Sequence, residues 1–166
     1  SVATPAKGYK FVGWYSHWDC LDSQWLSGDP HYKPTKADTA LWVEGTTYYA
    51  KFEYNLTSLT ISKVTTDEKG NVVDSSTIGP NQTFIFNIKG DGIDLDVTVH
   101  GAFWTVVVDG LKVGETYTIT EKTDWSWRYN CTGWSHTNGG TGTTNVATIT
   151  LGLDGTITFT NERTNE

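Results

Sequence analysis

Strands of period two, each closed by a turn signal, follow one another through residues 55–166, and no stretch of the chain keeps a helical period. In "LTISKV", Leu59 and Ile61 alternate with Thr60 and Ser62, the pattern of a strand with one face in a core. The same alternation predicts strands over 58–65, 82–89, 93–99, 102–109, 115–121, 125–132, 144–151 and 155–161. The clusters "DEKGN", "KGDG", "DGLKVGE", "NGGTG" and "LDG" supply the turns between them. Short strands at this spacing predict an all-β fold, an antiparallel β-sandwich.

Residues 1–54 read as a separate small unit. "GYKFVGWYS" (8–16) and "TTYYAKFEY" (46–54) are aromatic-rich strands, and between them lies a turn-rich insert containing "SGDPHYKPTKAD". A unit this small rarely sustains a core alone. It is expected to lean on its neighbour or on strands upstream of residue 1. With 8 Trp, 8 Tyr and 6 Phe, the chain has the aromatic content that disordered chains lack. A net charge of −7 without clustered Lys or Arg argues against a nucleic-acid partner. No apolar run approaches the length of a membrane span. The start, "SVATPAKGYK", lacks a signal-peptide architecture, so the chain reads as a mature fragment of something longer, monomeric as isolated.

Three polar residues interrupt this pattern in the same way. Lys63 follows Leu59 and Ile61 on their face, Glu121 follows Tyr117 and Ile119, and Asn161 follows Ile157 and Phe159. Each extends the core row of its own strand near that strand's C-terminal end. Buried charges need partners, and a Lys–Glu ion pair with Asn as a hydrogen-bond partner would satisfy all three. The sharper reading is covalent. Burial lowers the pKa of a lysine toward the neutral, nucleophilic amine. A carboxyl in the same apolar site stays protonated, donates to the amide oxygen and shuttles protons as ammonia leaves. Lys, Glu and Asn therefore suffice for an intramolecular isopeptide bond, with proximity supplied by the fold.

The motifs "LTISKVTTDEKGNVVD", "VDGLKVGETYTITE" and "TITFTNER" resemble, in order and spacing, the CnaB-type (collagen-adhesin B) domains of Gram-positive adhesins and pilins. The resemblance covers residues 57–161. It implies an Ig-like, prealbumin-like sandwich over 55–166 with Lys63 joined to Asn161 and Glu121 as the catalytic residue. It also implies an extracellular, cell-surface location, with a wall-anchoring signal outside these residues and an unidentified host or neighbouring-cell ligand. "GYKFVGWYS…TTYYAKFEY" resembles the β-grasp repeat of the internalin B-repeat type. It departs from that pattern in lacking the usual first strand and in the long insert from 17 to 45.

Other constellations carry less. Cys20 and Cys131 fit no zinc or redox spacing; outside the cell a disulfide between them is allowed, and two free thiols are the alternative. Asp91, Asp94 and Asp96 in "GDGIDLD" offer oxygens to Ca²⁺ but read first as a polar turn. "CLDSQ" brings Cys20 and Gln24 too close in sequence for a thioester of the adhesin kind. "SHWD" places Ser16, His17 and Asp19 as strand neighbours, which do not converge as a triad. No metal site and no cofactor motif is predicted, and the chain is not expected to be a turnover enzyme. Trp14, Trp18, Trp25, Trp42, Trp125, Trp127 and Trp134 are candidates for an exposed platform. A glycan- or host-protein-binding module built on them is therefore the rival function.

Overall fold

The computed structural model describes residues 1–33, 45–73, 82–100 and 104–164. Trp42 and the start of the strand predicted at 102–109 lie outside them. The chain divides into two compact units, Ser1–Asn55 and Leu56–Glu166. Regular structure is almost all strand. The helical segments among the described residues are 3-10 turns at Asp22–Gln24 and Thr123–Trp125.

In the first unit β1 (Tyr9–Tyr15) is the middle strand of an antiparallel sheet, between β2 (Trp25–Ser27) and β3 (Tyr49–Tyr54). Cross-strand ring pairs fix its register: Tyr9 meets Tyr54 with centroids 4.9 Å apart, and Phe11 meets Phe52 at 5.9 Å. β1 bulges between Phe11 and Gly13. A Cβ at Gly13 would lie 2.7 Å from the Trp25 indole nitrogen, so the glycine is what lets Trp25 cross the strand. Trp14, Ala3 and Tyr32 form the small core.

The second unit is a sandwich of two sheets. One has β4 (Leu56–Thr66) near its middle, with β5 (Val72–Val73) also in it. Facing it are β6 (Thr83–Gly90) and β7 (Ile93–His100) of the other sheet. β8 (Thr105–Lys112) returns to pair with β4, and β9 (Thr116–Lys122) pairs with β6. β10 (Tyr129–His136), β11 (Thr141–Gly142), β12 (Val146–Thr150) and β13 (Thr156–Arg163) complete the fold. The first sheet runs β11-β10-β13-β4, with β5 and β8 sharing the far edge of β4; the second runs β12-β9-β6-β7. Alternating inward residues fill the space between, among them Leu59, Ile61, Phe84, Phe86, Ile119 and Phe159. The hairpin β6–β7 turns at Asp91 (φ 48°) and Gly92 (φ 75°), the two positive dihedrals of a type I′ turn.

Two features depart from the sequence expectation. Among the described strands the sandwich is antiparallel except at one seam, where β4 and β13, first and last of them, pair in parallel. The strand predicted at 125–132 is displaced to 129–136. Ser126 sends its backbone N–H back to the Thr123 carbonyl (3.1 Å), and the Tyr129 N–H donates to the Ser126 carbonyl (2.7 Å). These turn bonds occupy the backbone over "TDWS", so sheet pairing starts only at Tyr129.

Candidate isopeptide site

Lys63 reaches the interior because β4 alternates without interruption from Leu59 to Thr65. The parallel seam sets Lys63 opposite Phe159 and Thr65 opposite Asn161. Lys63 and Asn161 therefore share the inner face of adjacent strands, one step apart in register. Glu121 comes from β9 in the facing sheet, where Tyr117 and Ile119 precede it on the inward row. The three residues singled out by alternation thus meet between the sheets, with 4% of Lys63 and none of Glu121 or Asn161 exposed.

Glu121 bridges the other two. The Lys63 ammonium donates to Glu121 Oε2 at 2.7 Å, and Asn161 Nδ2 donates to Oε1 at 2.6 Å. The walls are aromatic: Nζ lies 4.6 Å from the ring centre of Phe84 and 5.7 Å from that of Phe86, both on β6. Phe86 also pairs with Glu121 across the β6–β9 ladder and packs on Phe159. Burial in this box pulls the Lys63 pKa down to about 8, against the opposing pull of the Glu121 charge and hydrogen bond. The backbone of Glu121 is clamped by Asn145, which accepts from its N–H and donates from Nδ2 to its carbonyl, both at 2.9 Å. Asn161 Oδ1 is buried without a hydrogen-bond partner among the described residues.

Chemically, the cluster holds an amine of lowered basicity, a carboxamide and a carboxyl that touches both. Phe84 and Phe86 were legible as inward residues of a strand, but nothing in their own alternation says which lysine they surround. Asn145 and Cys131 carried no signal for this site, because their places follow from how the two sheets face each other.

The remaining candidates separate from it. Cys20 lies in the first unit and Cys131 in the second, each as a thiol. The Cys131 thiol is engaged inside its own unit, 3.9 Å from the carbonyls of Gly133 and Thr144. The aspartates of "GDGIDLD" are taken up by other groups. Asn87 donates to Asp94 and Asp96 at 2.8 and 2.9 Å, Lys122 pairs with Asp96 at 2.6 Å, and Lys112 pairs with Asp91 at 3.0 Å. No metal-ligand cluster occurs among the described residues. His17 bonds Asp19 locally at 2.9 Å, while the Ser16 hydroxyl faces the Gln24 carbonyl. The Gln24 side chain accepts from the Leu21 N–H in the 3-10 turn. Trp14 is core and Trp134 is packed against core, whereas Trp18, Trp25, Trp125 and Trp127 are exposed. No helix among the described residues is long and apolar enough to cross a membrane.

Comparison with solved structures finds an adhesin from Mobiluncus mulieris that contains intramolecular disulfide, isopeptide and ester bond cross-links. It has a TM-score of 0.54 at 18% identity, covering 82% of this chain and 47% of that one. This chain therefore spans about half the length of that adhesin, and at such identity the likeness is one of fold. A variant of the major pilin of Streptococcus pyogenes is similar with a TM-score of 0.46 at 16% identity, covering 99% of this chain and 68% of the pilin. None of the curated proteins compared with the chain matches it. A family model described as a domain of unknown function, DUF5979, matches residues 59–164, which hold Lys63, Glu121 and Asn161. That match takes in well over half of the sequence, and the chain belongs to the DUF5979 family.

Proposed function

We propose that this chain is a structural segment of a Gram-positive cell-surface protein, an adhesin or pilin-like stalk. Its sandwich is of the CnaB type, locked by a bond between Lys63 and Asn161 that forms without any other enzyme. The first unit serves as a β-grasp-like spacer before it. The observation that carries the reading is Glu121 bridging the Lys63 amine and the Asn161 amide inside an aromatic box. The cross-linked Mobiluncus adhesin of similar fold adds support.

The reaction runs in balance. A proton moves from Lys63 to Glu121, leaving a neutral amine and a neutral acid. An amide flip turns Oδ1 toward Glu121, which donates to it and polarises the carbon. The Nζ–Cγ bond forms, the Cγ–Nδ2 bond breaks, and the proton lost by Nζ leaves with ammonia through Glu121. The side chains are consumed, so the event occurs once and is not turnover catalysis. With the Lys63 pKa at about 8, roughly one amine in ten is neutral at pH 7, against fewer than one in a thousand at the ordinary value.

The test is the intact mass of denatured, reduced protein beside a Lys63→Ala control. Wild type should lack one ammonia, and digestion should give a branched peptide joining Lys63 to Asn161. A full, unmodified mass would reduce the cluster to a buried polar network. A second reading rests on Trp125 and Trp127, which are 70% and 68% exposed, with the Arg128 guanidinium 4.6 Å over the Trp127 ring. Such a platform suits a glycan or a protein ligand. Glycan-array binding that disappears in Trp125→Ala would favour it.

A further inference from the structure

Cys131 stands directly across from Asn161 on the antiparallel β10–β13 ladder, so the two side chains share a face. The thiol, 3.9 Å from the Gly133 and Thr144 carbonyls, lies within the fields of the Glu121 carboxylate and the Lys63 ammonium. Cys131 also lines an open groove of about 510 Å³, together with Thr123, Tyr129, Asn130, Thr144 and Asn145. Asn145 is also the residue that clamps the Glu121 backbone. Two residues of the groove therefore adjoin the cluster, Cys131 across the ladder from Asn161 and Asn145 on the Glu121 backbone. Asn161 Oδ1 is a buried acceptor without a partner among the described residues, which any admitted water would seek.

We propose that Cys131 is a positioning residue for isopeptide formation, closing the groove over Glu121 and keeping the Lys63–Glu121–Asn161 cluster dry. This rests on the crosslinking reading above. Dryness matters because removal from water is the largest influence holding the amine near its neutral form. Water entering beside Glu121 would stabilise the ion pair and return Lys63 toward its ordinary basicity. A thiol suits the place better than a hydroxyl, being a weak hydrogen-bonding group that behaves as a small hydrophobe. It is also an inert neighbour for the amide. Burial and the Glu121 charge push its pKa up to about 11, so it does not compete with Lys63 as a thiolate nucleophile. Among the described residues, the groups recorded against the pair besides Cys131 are uncharged: the Phe84 and Phe86 rings from β6 and the Asn161 amide from β13. The Tyr129 phenol on β10 packs edge-on against Phe84, 5.3 Å between ring centres, and lies in the fields of Arg163 and Arg128.

The experiment follows the full chain, taken unfolded and reduced from inclusion bodies and refolded by dilution across the neutral to alkaline range. Quenched samples are weighed for ammonia loss. Cys131→Ala and Cys131→Ser should crosslink more slowly at neutral pH, with the midpoint of the pH–rate profile moved to higher pH. Each unit of that movement slows the neutral rate about tenfold, and the rates should converge with wild type at alkaline pH. Cys131→Val, which refills the space without a thiol, should restore the wild-type profile. A variant damaged in folding would be slow at every pH, with no alkaline rescue. Ala and Ser variants with the wild-type midpoint would overturn the inference, as would a Val variant as slow as Ala. Wild type that never loses ammonia would instead remove the crosslinking reading itself, before any variant is compared.

Discussion

At the scale of single residues, the physics centres on a lysine that the fold has partly discharged. Lys63 gives up water for one carboxylate and two aromatic rings, and burial outweighs the pairing, lowering its pKa from 10.5 to about 8. The stability consequence has a definite sign. Between those two values the unfolded chain binds the proton and the folded one does not, so folding stability rises with pH there. Below about pH 8 the full cost of burying the cation is present. Asn161→Ala exposes this behaviour because it cannot crosslink. Its denaturation midpoint should climb as pH passes from about 8 toward 10.5, and a midpoint that falls there would contradict desolvation as the dominant cause. On the same background, adding Glu121→Gln should cost about 3–5 kcal/mol in denaturant titrations, since it leaves a buried cation unpaired. The identity of the three residues was legible from alternation alone, because a strand's period names its inward positions whatever the sheet does next. The identity of their neighbours was not. Phe84, Phe86 and Cys131 come to the site through the facing of two sheets and the pairing of β10 with β13, which local patterns do not encode.

At the scale of elements, turns decided where the reading held. The β6–β7 hairpin was announced by "KGDG", and its I′ geometry is what Asp-Gly favours. β10 was misplaced because "DWSWRY" alternates convincingly, while the competing turn bonds of Ser126 cannot be seen in a hydrophobic pattern. β10 also carries a bulge between Cys131 and Gly133 that alternation could not reveal. Gly133 sits at φ 146°, and a Cβ there would run into the Gly142 carbonyl. The bulge brings β11 close while leaving Cys131 opposite Asn161. Gly133→Ala should therefore cost about 1–3 kcal/mol by denaturation, from strain at a glycine-only position. Gly152→Ala is the control, since nothing lies within 4 Å of its added methyl, and it should change stability little. Equal effects at the two sites would show that the close approach at Gly133 is relieved without cost.

At the scale of the molecule, the parallel seam joins topology to the proposed role. β4 opens the sandwich and β13 closes it, and they lie side by side pointing the same way. Tension applied at the start of β4 and the end of β13 would shear that seam along its length instead of peeling it. A covalent link from Lys63 to Asn161 crosses the seam, so the pull would pass from one strand to the other through the bond. Roughly a hundred residues between the two attachment points would then carry no load. Closing a loop of that length also stabilises the folded state by about 4–5 kcal/mol on the chain-entropy account. The two contributions separate under force. In single-molecule pulling, Asn161→Ala should release about 330 Å of chain when the sandwich opens, the extended length of the segment between Lys63 and Asn161. Wild type should show no such step at any force the attachment survives. The same step from wild type would mean that the seam is held by hydrogen bonds and packing alone. The bridging of Lys63 and Asn161 by Glu121 would then be a buried polar cluster that fixes strand register, and the stalk reading would lose its mechanical basis.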